Sequence, residues 1–335
     1  MRLPLLAALL TVAACGDGRL EQLDLSGNAL GTTFNVAIVQ PPEALDTDAL
    51  EADIVATLRR IDLLASTWRD DSELSAFNEN TSVDWILVSP ALCAALENTR
   101  DISEATNGAF DVTVGPLVNL WGFGPDGVVA TPPSDAEIDA ARHRVGYGQL
   151  EIDCDARLLR KDHGAIHVDL SGWAKGHAVD ELAALLDTRG LANYLVEIGG
   201  ELRVSGYNSE RRNWAIAIEA PSTSKRVPHA VVRVTDTSVA TSGDYRNYFE
   251  HDGTSYSHTI DPRTGRPVTH DLAAVTVVHP SAAYADAMAT ALLVLGPAHG
   301  PALAAELVIA GYFLVRNGTN IEETTTPQFD ALDTQ

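Results

Sequence analysis

Apolar residues recur three and four positions apart at Leu50, Ile54, Leu58, Ile61 and Leu64, so Thr47–Ala65 predicts an amphipathic helix. A second helix is predicted over 90–106, with Gly108 just beyond its end, and a third over 174–188, closed by Gly190. The run 282–295 is apolar nearly throughout and predicts a buried helix ending at Gly296, with a further helix over 302–309. β-Rich stretches predict strands at 31–39, 193–198, 201–206, 214–219, 230–235 and 312–316. Residues 125–147 hold several Pro, Gly and Asp before a short helix-like run. No internal repeat is visible. Helices and strands mix without strict βαβ alternation, so the expected class is α+β.

The two ends differ from this pattern. Arg2 followed by the short apolar run Leu3 to Ala14 reads as an export signal, far below the roughly 20 residues a spanning helix needs. It ends in Val12-Ala13-Ala14-Cys15, which resembles the lipobox of bacterial lipoproteins, with Cys15 as the lipidated residue. The alternative is an ordinary signal peptide followed by a chance cysteine. Asp17 stands third from Cys15, counting the cysteine, and leaves the choice of inner or outer membrane open. The expected organisation is a signal peptide over 1–14, Cys15 and a polar tether over 15–28, one domain over 29–321, and a frayed polar tail over 322–335. Cys93 and Cys154 show no metal-ligand spacing and are expected to be buried free thiols, although an oxidising compartment would let them pair.

Composition is that of a globular chain: 335 residues, 45% hydrophobic and 21% charged, a length that suits two domains or one large one. A formal charge of −23 argues against nucleic acid and anionic lipid headgroups as partners. It also repels free nucleotides, so a nucleotide site needs a metal, a lysine or backbone N–H groups. Lysine is scarce: Lys161, Lys175 and Lys225.

Four segments carry candidate chemistry. Phe110 to Gly124 reads as a strand entering a Gly-rich loop with two aromatics, either a packed corner or a close approach to a ligand ring. In Val168 to Asp180 a turn of Asp169, Ser171 and Gly172 leads into a helix with Lys175 in its first turn, which suits an anion; the alternative is a capped helix with a solvated lysine. In Ala240 to Pro267 the run Asp261-Pro262-Arg263-Thr264-Gly265 predicts a tight turn. In Ala285 to Leu293, Asp286 and Thr290 lie one helical turn apart on one face. One carboxylate and one hydroxyl suit Mg²⁺ shared with a phosphate. An Asp in so apolar a helix needs a partner, which an arginine or a backbone donor would also satisfy.

Together these segments, with Gly31-Thr32-Thr33-Phe34, Ser66-Thr67-Trp68-Arg69, Asp71-Ser72-Glu73 and Glu197-Ile198-Gly199-Gly200-Glu201, resemble the FAD:protein FMN transferase family, also called ApbE, over roughly 29–320. The resemblance implies a single α+β domain with a T-fold-like core, FAD as substrate and Mg²⁺ as cofactor. It implies metal ligation by Asp286, Thr290 and the Gly172 carbonyl. It also implies FAD contacts from Leu30, Trp68, Ala109, Phe110, Asp111, Asp169, Lys175 and Ile260. The family usually has Tyr in place of Trp68, Met in place of Leu30 and often Ala in place of Gly172; an indole can stack on a flavin as well.

The implied reaction moves FMN from FAD to a Ser or Thr hydroxyl of an acceptor protein, releasing AMP. Lys175 would neutralise phosphate charge, and His258 is the candidate base on chemical grounds. The resemblance suggests acceptors such as flavin-carrying subunits of sodium-pumping NADH:quinone oxidoreductase or Rnf-type complexes. The membrane is expected to be met through the lipid anchor alone. Two further readings stay open: a Mg²⁺-dependent FAD pyrophosphatase, and a noncatalytic FAD-binding lipoprotein.

Overall fold

The computed structural model describes residues 19–221, 227–245 and 247–334; the expected signal peptide and Cys15 lie outside the described residues. Eight strands form one antiparallel sheet whose spatial order is the chain order. They are β1 (Gln22–Ala29), β2 (Thr32–Val39), β3 (Tyr194–Ile198), β4 (Glu201–Ser205), β5 (Thr237–Gly243), β6 (Leu272–His279), β7 (Ala310–Asn317) and β8 (Asn320–Thr325). The helices are α1 (Thr47–Ala65), α2 (Glu73–Glu79), α3 (Pro90–Ala105), α4 (Gly115–Leu120), α5 (Asp135–Arg142), α6 (Ser171–Thr188), α7 (Ala282–Glu306) and α8 (Pro327–Asp330). This is the α+β class the sequence predicts.

One face of the sheet carries α6 and α7, with α1 packed on α6. Strands Trp214–Glu219, Pro228–Val234 and Asp333–Thr334 form a small sheet that covers the other face with Trp214, Ile216, Ile218, Val232 and Val234. Strand β6 sits between these layers and is buried on both sides, so it reads as an unbroken apolar run, not as an alternation. Helix α7 is apolar nearly all round as far as Gly296, where it is buried on almost every side; beyond that it is largely exposed.

Several expectations need correction. Residues 22–28, expected in the tether, belong to edge strand β1. Its inward positions are Leu23, Leu25, Gly27 and Ala29, and the Phe34 ring occupies the space beside Gly27: a Cβ there would stand 2.7 Å from Phe34 Cε1. Small residues thus hide the alternation. The tail from 322 is ordered too. Glu322 to Thr325 pair with β7, Phe329 is buried against Tyr312, and Thr326 Oγ1 donates to the Ile309 carbonyl at 2.7 Å.

The strand expected at Phe110 is instead a 3₁₀ turn, Val112–Val114, running into α4. Asp111 caps that turn and Pro116 sits in the first helical positions, which overrides the β propensity of Val-Thr-Val. The helix expected over 282–295 does end at Gly296, whose φ of 72° only glycine adopts easily, but the helix expected over 302–309 starts directly after that break and runs to Glu306, so both lie within α7. Cys93 and Cys154 are not free thiols: they form a disulfide, Cα to Cα 5.5 Å, tying α3 to the strand pair Leu150–Asp153 and Leu158–Lys161. Sixty-one residues separate them, so only the tertiary fold brings the thiols together.

Candidate active site

A cleft of about 520 Å³ opens where β5 ends. Because the strand stops there, the cleft reaches both layers: Gly172, Lys175, Asp286 and Thr290 wall it on the helical side, and Ala217 and Glu219 on the small-sheet side. Its floor is set by the contact between α6 and α7. At Gly176 the helices approach so closely that a Cβ would lie 2.3 Å from the Ala282 carbonyl oxygen. Asp180, one turn on, accepts from the N–H groups of Ala282 and Ala283 and from Ser281 Oγ, and so caps α7.

Asp286 is 2% exposed. Its Oδ2 accepts from the Gly176 N–H at 3.0 Å, and Lys175 Nζ lies 3.5 Å from both carboxylate oxygens. Thr290 faces the same way one turn later, with its Oγ1 3.0 Å from Ser242 Oγ on β5. Gly172 lies against it: a Cβ on Gly172 would be 3.6 Å from Thr290 Oγ1 and 3.3 Å from the Phe110 ring. Among the described residues no three His, Cys, Asp or Glu side chains converge elsewhere or here. A cation held by Asp286, Thr290 and the Gly172 carbonyl would therefore keep most of its coordination for phosphate and water, the habit of Mg²⁺ and not of a thiolate- or imidazole-bound metal.

Lys175 stands in the second turn of α6, not the first, because the helix begins at Ser171. Burial alone would lower its pKa, but the Asp286 and Glu201 carboxylates outweigh that and hold it above its ordinary value. Lys175 is thus a fixed positive charge. At the entry to α6, Asp169 Oδ1 accepts from the Ser171 N–H at 2.8 Å. Asn78 on α2 fixes the preceding residue by donating to the Val168 carbonyl and accepting from its N–H.

The other walls are equally built. Asp111 is buried and fully engaged: it accepts from Thr113 N–H, Thr113 Oγ1 and the Tyr147 N–H. Burial pushes its pKa up against these three bonds. Ala109, Phe110 and Phe123 line the cleft beside it. Trp121 anchors this segment, its Nε1–H donating to the Gly265 carbonyl at 2.8 Å while its ring packs on Tyr256 and Phe249. Gly265 ends the tight turn predicted at Asp261 to Gly265, which joins Ile260–Asp261 to Arg266–Pro267. Ile260 closes the same wall.

Trp68 is 67% exposed, with its ring at the mouth of the cleft. The loop under it is stiff: Ser72 Oγ and Ser75 Oγ both donate to the Ser66 carbonyl, and Arg69 pairs with Asp71 and Asp62. His258 also lines the cleft, beside the Phe123 ring, and its Nδ1 lies 3.0 Å from the Asn247 carbonyl. A carbonyl only accepts, so Nδ1 carries the proton and Nε2 is left as a lone-pair acceptor. Burial lowers the His258 pKa, partly opposed by that carbonyl, so the ring is neutral near pH 7.

All the sequence-predicted site residues within the described chain line this cleft except Leu30. Leu30 sits at the tip of the β1–β2 hairpin with φ of 52°, half-buried against the core between the sheet, α1 and α6. Among the wall residues to which the sequence assigns no role, three carry polar side chains beside Lys175 or Thr290 or on the same strand: Glu201, Ser242 and Thr241. All three lie inside the motifs that carry the resemblance, and the signal for Glu201 was its place directly after two glycines.

The ApbE family model matches residues 30–313. This chain belongs to the ApbE family. A protein of Vibrio cholerae named FAD:protein FMN transferase is 42% identical over 324 residues, 97% of this chain and 96% of that one. The protein of the same name from Escherichia coli K12 is 37% identical over 98% of this chain. Among solved structures, the flavin transferase ApbE from V. cholerae matches with a TM-score of 0.87 at 40% identity, covering 94% of this chain and all of that one. Pseudomonas stutzeri flavinyl transferase ApbE, apo form, matches with a TM-score of 0.85 at 39% identity over 94% of this chain and 97% of that one. The ApbE match spans the fold from the β1–β2 hairpin tip into β7.

Proposed function

We propose that this chain is an FAD:protein FMN transferase that moves the FMN half of FAD to a Ser or Thr hydroxyl of an acceptor protein. The observation that carries the reading is the convergence of Asp286, Thr290 and the Gly172 backbone beside a permanently charged Lys175 at the foot of one cleft. A bound Mg²⁺ would supply Lewis-acid charge to the pyrophosphate of FAD there.

Each wall then has a task. Trp68 offers a flat face for a flavin or adenine ring. Lys175 places positive charge at the pyrophosphate in a chain that is otherwise strongly acidic. His258 Nε2 takes the proton of the acceptor hydroxyl as its oxygen bonds to the phosphorus of the FMN half. The bond from that phosphorus to the bridging oxygen breaks, and AMP leaves with the electron pair. The product is a flavin joined to protein through a phosphoester.

We further propose that the chain is exported and anchored by lipid at Cys15. The Cys93–Cys154 disulfide supports an oxidising compartment. Flavin-carrying subunits of sodium-pumping NADH:quinone oxidoreductase and of Rnf-type complexes are the acceptors to assay. The test is co-expression with such a subunit followed by intact-mass and peptide mass spectrometry. FMN on a Ser or Thr of the acceptor supports the transferase. Rapid acceptor-independent release of AMP and FMN points to the pyrophosphatase, and tight FAD binding with neither product points to a noncatalytic flavin carrier.

A further inference from the structure

Glu201 is the first residue of β4 and the most deeply buried carboxylate in the cleft wall after Asp286, 4% exposed. Its Oε1 is 3.2 Å from Lys175 Nζ. Its Oε2 is shut off from solvent and has no hydrogen-bond partner among the described residues. A buried carboxylate oxygen left bare is costly, so a purely structural residue would be better replaced here by an apolar one.

The surrounding backbone is shaped to hold Glu201 in this place. It follows the two-residue turn Gly199-Gly200, with φ of 63° and 115°, conformations that suit glycine. Glu197 fixes the turn by accepting from the Gly200 N–H at 2.7 Å and from Asn35 Nδ2 at 2.7 Å. The turn runs close to the lysine: a Cβ at Gly199 would lie 3.4 Å from Lys175 Cδ and 2.9 Å from Thr32 Cγ2, space that glycine leaves free.

Lys175 is therefore shared between two acids, Asp286 and Glu201. Asp286 is also the carboxylate assigned to the cation. An ammonium and a divalent cation compete for it, and each repels the other at such range. We propose that Glu201 is a positioning residue: it retains the Lys175 ammonium beside the pyrophosphate site when a divalent cation takes Asp286, so that both positive charges serve the same phosphates. This rests on the transferase reading of the cleft. Burial raises the Glu201 pKa, Lys175 offsets this only in part, and the Asp286 charge adds to the rise.

The test is a double-mutant cycle read by FAD binding, not turnover: flavin fluorescence of the full chain is titrated with Mg²⁺ at fixed FAD. Glu201→Gln should raise the half-saturating Mg²⁺ about tenfold, the change expected when one hydrogen bond to a charged group is lost and Lys175 turns wholly to Asp286. In a Lys175→Met background, where the competitor is gone, the same substitution should shift it by no more than about twofold. An equal shift in both backgrounds, or none in either, overturns the proposal. Thermal melting checks that each variant is folded. Should Glu201→Gln fail to fold, Glu201→Asp, which draws the carboxylate back by one methylene, is read by the same criterion. If the unmodified chain shows no Mg²⁺-dependent FAD binding, the transferase reading itself fails; if it does and Glu201→Gln matches it, only the role of Glu201 fails.

Discussion

The backbone N–H of Gly176 donates to Asp286 Oδ2 at 3.0 Å, so the carboxylate at the foot of the cleft is oriented by the neighbouring helix and not by its own. A side chain at position 176 would strike the Ala282 carbonyl. Gly176→Ala is expected to push α6 and α7 apart, costing about 1–3 kcal/mol of stability as an overpacked core does. FAD binding should fall further than stability implies, because Asp286 moves with α7. Melting temperature and FAD affinity, measured on one preparation, check this; a stable variant with unchanged affinity contradicts it.

Asp286→Ala should abolish metal-dependent flavin transfer while the protein stays folded, since the lost groups serve the cleft and one N–H. Thr290→Val, close in shape but without the oxygen, should keep the fold and raise the Mg²⁺ requirement. Circular dichroism and a Mg²⁺ titration of AMP release separate the two. Full activity of Asp286→Ala would remove the metal assignment.

The pH dependence follows from His258. Its ordinary value is 6.5, and burial lowers it. A base must be unprotonated, so activity should be full at neutral pH and fall only as the pH drops below 6.5 through the lowered value. His258→Asn should reduce the chemical step by roughly 10²–10⁴-fold and remove the acid limb of the profile. A variant that keeps the same acid limb shows that another group titrates.

Trp68 contributes a largely exposed ring, so its removal costs the fold little. Trp68→Ala should weaken FAD binding by about 1 kcal/mol, roughly fivefold in Kd, with little change in the rate at saturating FAD. Equilibrium titration and single-turnover kinetics check the split.

The disulfide links α3 to the Leu150–Asp153 strand. Cys93→Ser combined with Cys154→Ser should lower stability by about 2–4 kcal/mol without altering the cleft. Denaturant unfolding with and without reductant measures it.

Much of the cleft was legible because its residues sit in short runs with strong local chemistry. Asp286 and Thr290 announce themselves as oxygens one turn apart in an apolar helix, and the structure keeps them on one face. Lys175 was legible as a lone lysine near a helix start, but its two acid partners come from β4 and α7, 26 and 111 residues away, beyond local reading. Edge strand β1 was missed because Gly27 and Ala29 fill inward positions that an apolar pattern needs. The ordered tail rests on Phe329 and Thr326, too few residues to make a pattern. The strand wrongly expected at Val112 shows the converse: β-branched residues yield to one capping aspartate when tertiary packing asks for a turn.

The central claim is that a divalent cation gripped by Asp286 and Thr290 meets the bridging phosphates of FAD. Diffraction from crystals soaked in FAD and Mn²⁺, read by anomalous scattering, tests it most directly. One strong peak is expected, bonded to an Asp286 carboxylate oxygen, Thr290 Oγ1 and the Gly172 carbonyl, and touching the pyrophosphate. A bound dinucleotide with the cation elsewhere, or with those oxygens turned from it, would rule out this metal site.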